Sequence, residues 1–163
     1  MMPQHPINFN DGHAYECAMG IWSRLVGQQF LDWLDPRPRL RWLDVGCGNG
    51  DFTELLARHC EAAEILGVDP SEAQLTFARS RQHARSATFL HGDAMALPFG
   101  GGQFDLSVMA LVLFFVSDPA KSIFEMRRVT RPGGTVAAYV WDVLNDASPM
   151  APIEAEMKGR GVR

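Results

Sequence analysis

Cysteine, basic charge and long apolar runs are all scarce in this 163-residue chain, and each scarcity closes off a class of function. Three cysteines occur, Cys17, Cys47 and Cys60, at spacings that make neither a paired nor a metal-ligand pattern. Their odd number leaves one over in any disulfide scheme, which points to a reducing compartment. His5, His13, His59, His83 and His91 never stand four apart with a carboxylate between them, so the helix-borne zinc signature is missing and no metal site is expected. Lys and Arg number 15 against 19 Asp and Glu, a formal charge of -4, whereas a surface for nucleic acid draws its affinity from clustered cations. The one basic cluster, Arg127, Arg128 and Arg131, falls at the end of an expected helix, where cations are favoured anyway. The longest apolar run, Val108 to Val116, is too short to span a bilayer, and the first twelve residues lack the apolar core of a signal peptide. The expectation is a soluble, cytoplasmic protein with no nucleic-acid partner and no membrane span. Its length suits one domain with a single real core. There is no internal repeat and no low-complexity tract.

What the chain does have is a glycine turn, Leu43-Asp44-Val45-Gly46-Cys47-Gly48-Asn49-Gly50-Asp51, entered by an apolar run from Leu40 and left by a helix-like segment, Phe52 to Arg58. Alternate glycines open backbone conformations closed to other residues and let a ligand approach the main chain. The helix start beyond them offers unpaired N–H groups. Upstream, Ile21, Trp22, Leu25, Val26, Phe30, Trp33 and Leu34 recur at helical spacing, which predicts an amphipathic helix within residues 12–34. Asp35-Pro36-Arg37-Pro38 stops it.

Further strands are predicted over Glu64 to Asp69, Ala87 to His91, Phe104 to Ala110 and Thr135 to Trp141. A helix opened by Pro70 and Ser71 is expected to run to about His83. Another begins in the preferred cap-then-proline order at Asp118-Pro119 and ends at Arg131-Pro132-Gly133-Gly134. Strands alternating with helices imply an open parallel sheet with ligands at the carboxyl ends of its strands. Asp69 and Asp93 fall at two such ends.

Taken together these residues resemble the class I S-adenosylmethionine-dependent methyltransferases, especially the small-molecule branch that makes ubiquinone and menaquinone. LDVGCGNGDFT is similar to the family's first motif, GVDPS to its ribose motif, GDAMALPF to its adenine motif, and RPGG before a strand to its fifth-strand motif. AYECAMGIWSRL resembles the branch's cofactor-covering helix. The resemblance implies an α/β fold, a Rossmann-like open parallel sheet of about five strands with helices on both faces. It lacks the two strands that usually come last, which leaves the fifth as an open edge through which a homo-oligomer could form. One domain is expected, with a covering helix in 12–34, a core in 39–142 and a tail in 143–163, where a short helix over Ala151 to Lys158 could cover that edge.

S-adenosylmethionine is the implied cofactor and a small molecule the implied acceptor. Gly46, Gly48 and Gly50 would approach the methionine part and Asp44 its ammonium, directly or through water. Asp69, beside Pro70, has the two acceptor oxygens that ribose hydroxyls need, and Asp93 with Ala94 would meet the adenine. Ala110 and Leu111 would lie beside the methionine portion, although Leu111 reads equally as core. Tyr15, Met19 and Trp22 read either as a cover over the cofactor or as plain packing. Relatives often carry histidine in a pattern like LHHV where this chain has Leu113-Phe114-Phe115-Val116, and Arg where it has Ile21. The acceptor side is therefore apolar, no catalytic base is assigned, and a non-catalytic cofactor-binding module is the alternative to an enzyme.

Overall fold

The computed structural model describes residues 19–142, 145, 148–149 and 151–161. In chain order the elements are helix α1 (Ile21–Leu34), strand β1 (Arg41–Val45), α2 (Asp51–His59), β2 (Glu64–Asp69), α3 (Glu72–Ser80), β3 (Thr88–His91), β4 (Phe104–Ala110), a 3-10 turn (Leu113–Phe115), α4 (Pro119–Val129), β5 (Thr130–Tyr139) and α5 (Ala151–Gly159). The five strands form one sheet in the order β3-β2-β1-β4-β5, with every neighbouring pair parallel. The expected five-stranded α/β sheet is what forms. No helix among the described residues is long and apolar enough to cross a membrane.

Strand periodicity divides the core. Along β1, Trp42 faces a cluster with Phe30 and Leu31 of α1, Phe52 and Leu56 of α2, and Leu106 and Val108 of β4. Leu43 and Val45 face the other way, onto Val68, Phe104, Met109 and the α4 residues Met126 and Val129. A sheet buried on both faces needs the near-continuous apolar runs that β1 and β4 carry. A third cluster, Cys47, Leu75, Ala78, Ala84 and Phe89, seats α3 against the β3 side. Strand order reverses between β1 and β4, so the crevice outside their carboxyl ends is where this architecture places ligands.

Local chemistry sets most helix ends as expected. Asp118 caps α4 by accepting the Lys121 N–H at 3.0 Å, with Pro119 in the first turn. At the end of α1, Pro36 denies Asp35 the helical region; Asp35 turns left-handed (φ 43°) and its N–H closes on the Leu31 carbonyl.

Four expectations need correction. The helix after Ser71 stops at Ser80, not near His83, because Arg81 goes extended to bury its side chain beside α2. Arg131-Pro132-Gly133-Gly134 does not end α4, which closes at Val129; it forms a bulged start to β5, with the pairing jumping from Phe104–Thr130 to Leu106–Thr135. A Cβ on Gly134 would lie 2.5 Å from the Asp105 carbonyl oxygen, so the bulge needs glycine there. The strand ends at Tyr139 rather than Trp141. Finally, the described side chains of α5 beyond Ala151 are exposed, so α5 does not cover β5, whose outer edge has no strand partner among the described residues.

Candidate functional site

The glycine turn after β1 is held from below by its neighbour strand. Gly46 and Cys47 both donate to the Val68 carbonyl (2.7 and 3.1 Å), Gly50 donates to Cys47 (2.8 Å), and Gly48 donates to Asp69 Oδ2 (2.9 Å). Gly46 has φ +74°, and a Cβ on it would stand 2.5 Å from a Val112 methyl. At Gly48 (φ +50°) an added Cβ meets nothing within 4 Å, so the main chain there is open to a ligand.

A cavity of about 970 Å³ opens over this turn at the carboxyl ends of the strands. Of the residues expected at a cofactor site, Asp44, Gly46, Gly48, Asp69, Pro70, Asp93, Ala94 and Ala110 all line it, and so does Leu111. Gly50 does not. Its Cβ would sit 2.9 Å from that of Ala78, so this glycine serves the packing of α3 beneath the turn. Trp22 does not line the cavity either: it is 49% exposed, and Ser23 is the α1 residue that reaches the lining. Tyr15 lies outside the described residues.

Asp44 is fully buried. Thr53 Oγ, nine residues on and in the first turn of α2, donates to its Oδ2 at 2.6 Å, while Oδ1 has no hydrogen-bond partner. Burial raises its pKa from 3.8 to about 7, against the Thr53 hydrogen bond and with help from the negative Asp69. Asp69 sits at the end of β2 with Oδ2 on the Gly48 N–H and Oδ1 on the Ser71 N–H (2.8 Å). Each oxygen therefore keeps one lone pair for a further donor. Burial pushes its carboxyl above the usual range, although the two N–H groups and His91 pull the other way. Asp93 accepts the Met95 N–H at 2.8 Å, a turn that presents Ala94 and Met95 to the cavity.

The far wall is apolar. Leu111 leaves β4 with φ +59°, a conformation rare for leucine, and its N–H is held by the Tyr139 carbonyl at 2.9 Å. This turns Val112, Phe115 and Val116 toward the cavity. Tyr139 lines it from the end of β5, its ring 4.6 Å from Phe30 and 5.9 Å from Phe52. The signal that could have found it is an aromatic at a strand's carboxyl end. The described lining holds five carboxylates, Asp44, Asp51, Asp69, Glu72 and Asp93, and no lysine, arginine or histidine.

A parallel sheet in this order, with a glycine turn after the first strand, an acid closing the second and another two residues past the third, is the class I S-adenosylmethionine-dependent methyltransferase fold. The chain belongs to the methyltransferase-domain family, whose sequence profile matches residues 43–138. It is 37% identical over 128 residues to the biotin biosynthesis bifunctional protein BioHC of Cellvibrio japonicus, covering 78% of this chain and 24% of that one. It is 36% identical over 119 residues to the ubiquinone/menaquinone biosynthesis C-methyltransferase UbiE of Dinoroseobacter shibae, covering 71% and 48%. The chain thus spans half or less of the length of these curated relatives. Among solved structures, the [4+2]-cyclase SpnF superposes with a TM-score of 0.60 at 31% identity, covering 78% of this chain and 47% of that one.

Proposed function

We propose that the cavity binds S-adenosylmethionine and that the chain serves methyl transfer to a small, uncharged or apolar-edged acceptor. One observation carries this reading: a single cavity joins a buried carboxylate oxygen without a partner, on Asp44, to a second carboxylate with a lone pair left on each oxygen, on Asp69. The first suits an ammonium and the second a pair of vicinal hydroxyls. The residues present fit the cofactor at both ends, and the bare main chain at Gly48 leaves room between them.

When bound, S-adenosylmethionine supplies a methyl group activated on a sulfonium. The chain's part is to orient and to exclude water. Asp44 holds the ammonium, Asp69 the ribose and the Asp93–Ala94 turn the adenine, while Ala110 and Leu111 border the methionine portion. Val112, Phe115, Val116 and Tyr139 then form a dry wall for the acceptor. No histidine or lysine stands on that wall among the described residues, so the reading favours acceptors that need no strong base, such as an activated carbon, a thiol or an amine.

Calorimetric titration with S-adenosylmethionine and with S-adenosylhomocysteine tests the cofactor half, and binding of neither sinks it. Asp69→Ala is expected to weaken binding about 10- to 100-fold in the same titration, because hydrogen bonds to a charged group are lost. An unchanged dissociation constant would remove Asp69 from the site.

The second reading is a cofactor-binding module without methyl transfer. It is favoured by the likeness to a [4+2]-cyclase, since the fold alone does not entail the reaction. A radiolabelled methyl-transfer screen on metabolite extract separates the two once binding is seen. The open edge of β5 also suits pairing with a second copy. Sedimentation showing only monomer at high concentration would exclude that pairing.

A further inference from the structure

We propose that Arg81 is a positioning residue that sets the glycine turn for the methionine end of the cofactor, acting through the Asn49 carbonyl; this rests on the cofactor reading above. Arg81 is only 8% exposed, and a buried guanidinium persists only where its donors are met. Its Nε donates to the Asn49 carbonyl at 2.6 Å. Its Nη1 donates to Glu54 Oε2 at 2.9 Å and lies 3.5 Å from Asp51 Oδ1, and the guanidinium stands 5.3 Å from the centre of the Phe77 ring.

The carbonyl it grips belongs to the one residue between Gly48 and Gly50, both at positive φ. A peptide flanked by glycines rotates with little steric resistance; within the turn only its N–H end is tied, by Gly50 to the Cys47 carbonyl, and Arg81 holds its carbonyl end from outside. Asn49 and Asp51 both line the cavity, and the Asn49 side chain accepts the Asp51 N–H at 3.2 Å. The hold continues outward: Arg24 of α1 donates from Nε to Asp51 Oδ1 at 2.7 Å. Arg81 thereby ties the turn, the start of α2 and the covering helix into one hydrogen-bonded unit. Arginine is required because its planar fork meets a carbonyl and a carboxylate at once, which a lysine ammonium on a flexible stem does not do with the same geometry.

The test compares two ligands on the full chain and on Arg81→Lys. S-adenosylhomocysteine carries the amino-acid end; 5′-methylthioadenosine keeps the nucleoside and sulfur and lacks that end. The expected result is an approximately tenfold weaker S-adenosylhomocysteine affinity with methylthioadenosine affinity changed less than about twofold. A merely structural role would weaken both alike, so equal losses, or no loss, would overturn the inference. Should R81K not fold, Arg24→Gln supplies the second arm at a half-exposed position of the same chain of contacts. It is expected to weaken S-adenosylhomocysteine about two- to threefold and to leave methylthioadenosine unchanged, and any other ratio counts against the proposal. Failure of the unchanged chain to bind either ligand would overturn the cofactor reading itself and this inference with it, a result distinct from binding that R81K leaves intact.

Discussion

Asp44→Asn should raise the stability of the ligand-free chain at neutral and alkaline pH while weakening its hold on S-adenosylmethionine by about 100-fold or more. The two effects have one origin. Asp44 is buried with one oxygen unpartnered, and burial lifts its pKa from 3.8 to about 7. Between those values the folded chain keeps a proton that the unfolded chain has released, so this group's contribution to stability falls as pH rises through the window and is lost by about pH 7. Three pH units of tighter proton binding correspond to roughly 4 kcal/mol. Asparagine keeps an acceptor for Thr53 and carries no charge to desolvate, so the variant escapes this decline. The difference between wild-type and D44N denaturant midpoints, followed from pH 5 to pH 8, isolates Asp44 from the lowered carboxyls of Asp105 and Glu125, whose contributions run the opposite way and are common to both chains. A wild-type stability parallel to that of D44N across this range would show that Asp44 titrates normally. On the cofactor side, binding to the wild type should release protons near neutrality, seen as a buffer-dependent heat, and binding to D44N should not.

Gly46→Ala is expected to destabilise the fold by about 3 kcal/mol or more, read from urea midpoints. Two terms add. Alanine at φ +74° is strained by roughly 1–2 kcal/mol, and its Cβ would stand 2.5 and 2.9 Å from the two methyls of Val112, which must shift. Adding Val112→Ala should recover the steric part and leave the conformational part, a coupling that a double-mutant cycle measures. Gly48→Ala is the informative contrast. At φ +50° with open space around its Cβ it carries only the conformational cost, roughly 1–2 kcal/mol, and places a methyl where a ligand would approach. Its main effect should appear in the cofactor titration. If both variants lost stability equally, the turn would be uniformly packed and the assignment of Gly48 to the ligand side would fail.

Much of this architecture is legible because it is local. The order of strands and helices follows from apolar runs punctuated by Gly, Pro and capping residues, and Asp118-Pro119 caps α4 as its sequence suggests. Asp69 and Asp93 are placed in the cavity lining by position alone, one closing β2 and the other two residues past β3, since the carboxyl ends of parallel strands open on the crevice. What sequence does not disclose is which neighbour makes a residue necessary. Gly50 reads like its partners in the turn, yet Ala78 across α3 is what excludes a side chain there. The end of α3 is set by a guanidinium seeking a carbonyl thirty-two residues back, which no helix propensity encodes. Trp22 belongs to a helical apolar stripe, but the stripe is wider than the face that α1 buries: Gly27, Phe30 and Leu31 are buried, and Ile21, Trp22 and Leu25 are exposed. Tyr139 is easily passed over because β5 stops two residues short of the end its sequence suggests, which puts Trp141 rather than Tyr139 at the expected carboxyl end.

The all-acidic lining of the cavity has a consequence for turnover. On the cofactor reading, S-adenosylmethionine enters with a net positive charge and leaves as a neutral thioether once its methyl is gone. Within that lining Asp51 is paired with Arg24 and Arg81 and Glu72 with Arg79, which leaves Asp44, Asp69 and Asp93 to attract a cation, and their grip slackens once the ligand loses its charge. The same charges that draw the reagent in thus hold the spent molecule less tightly and favour its exchange for a fresh one.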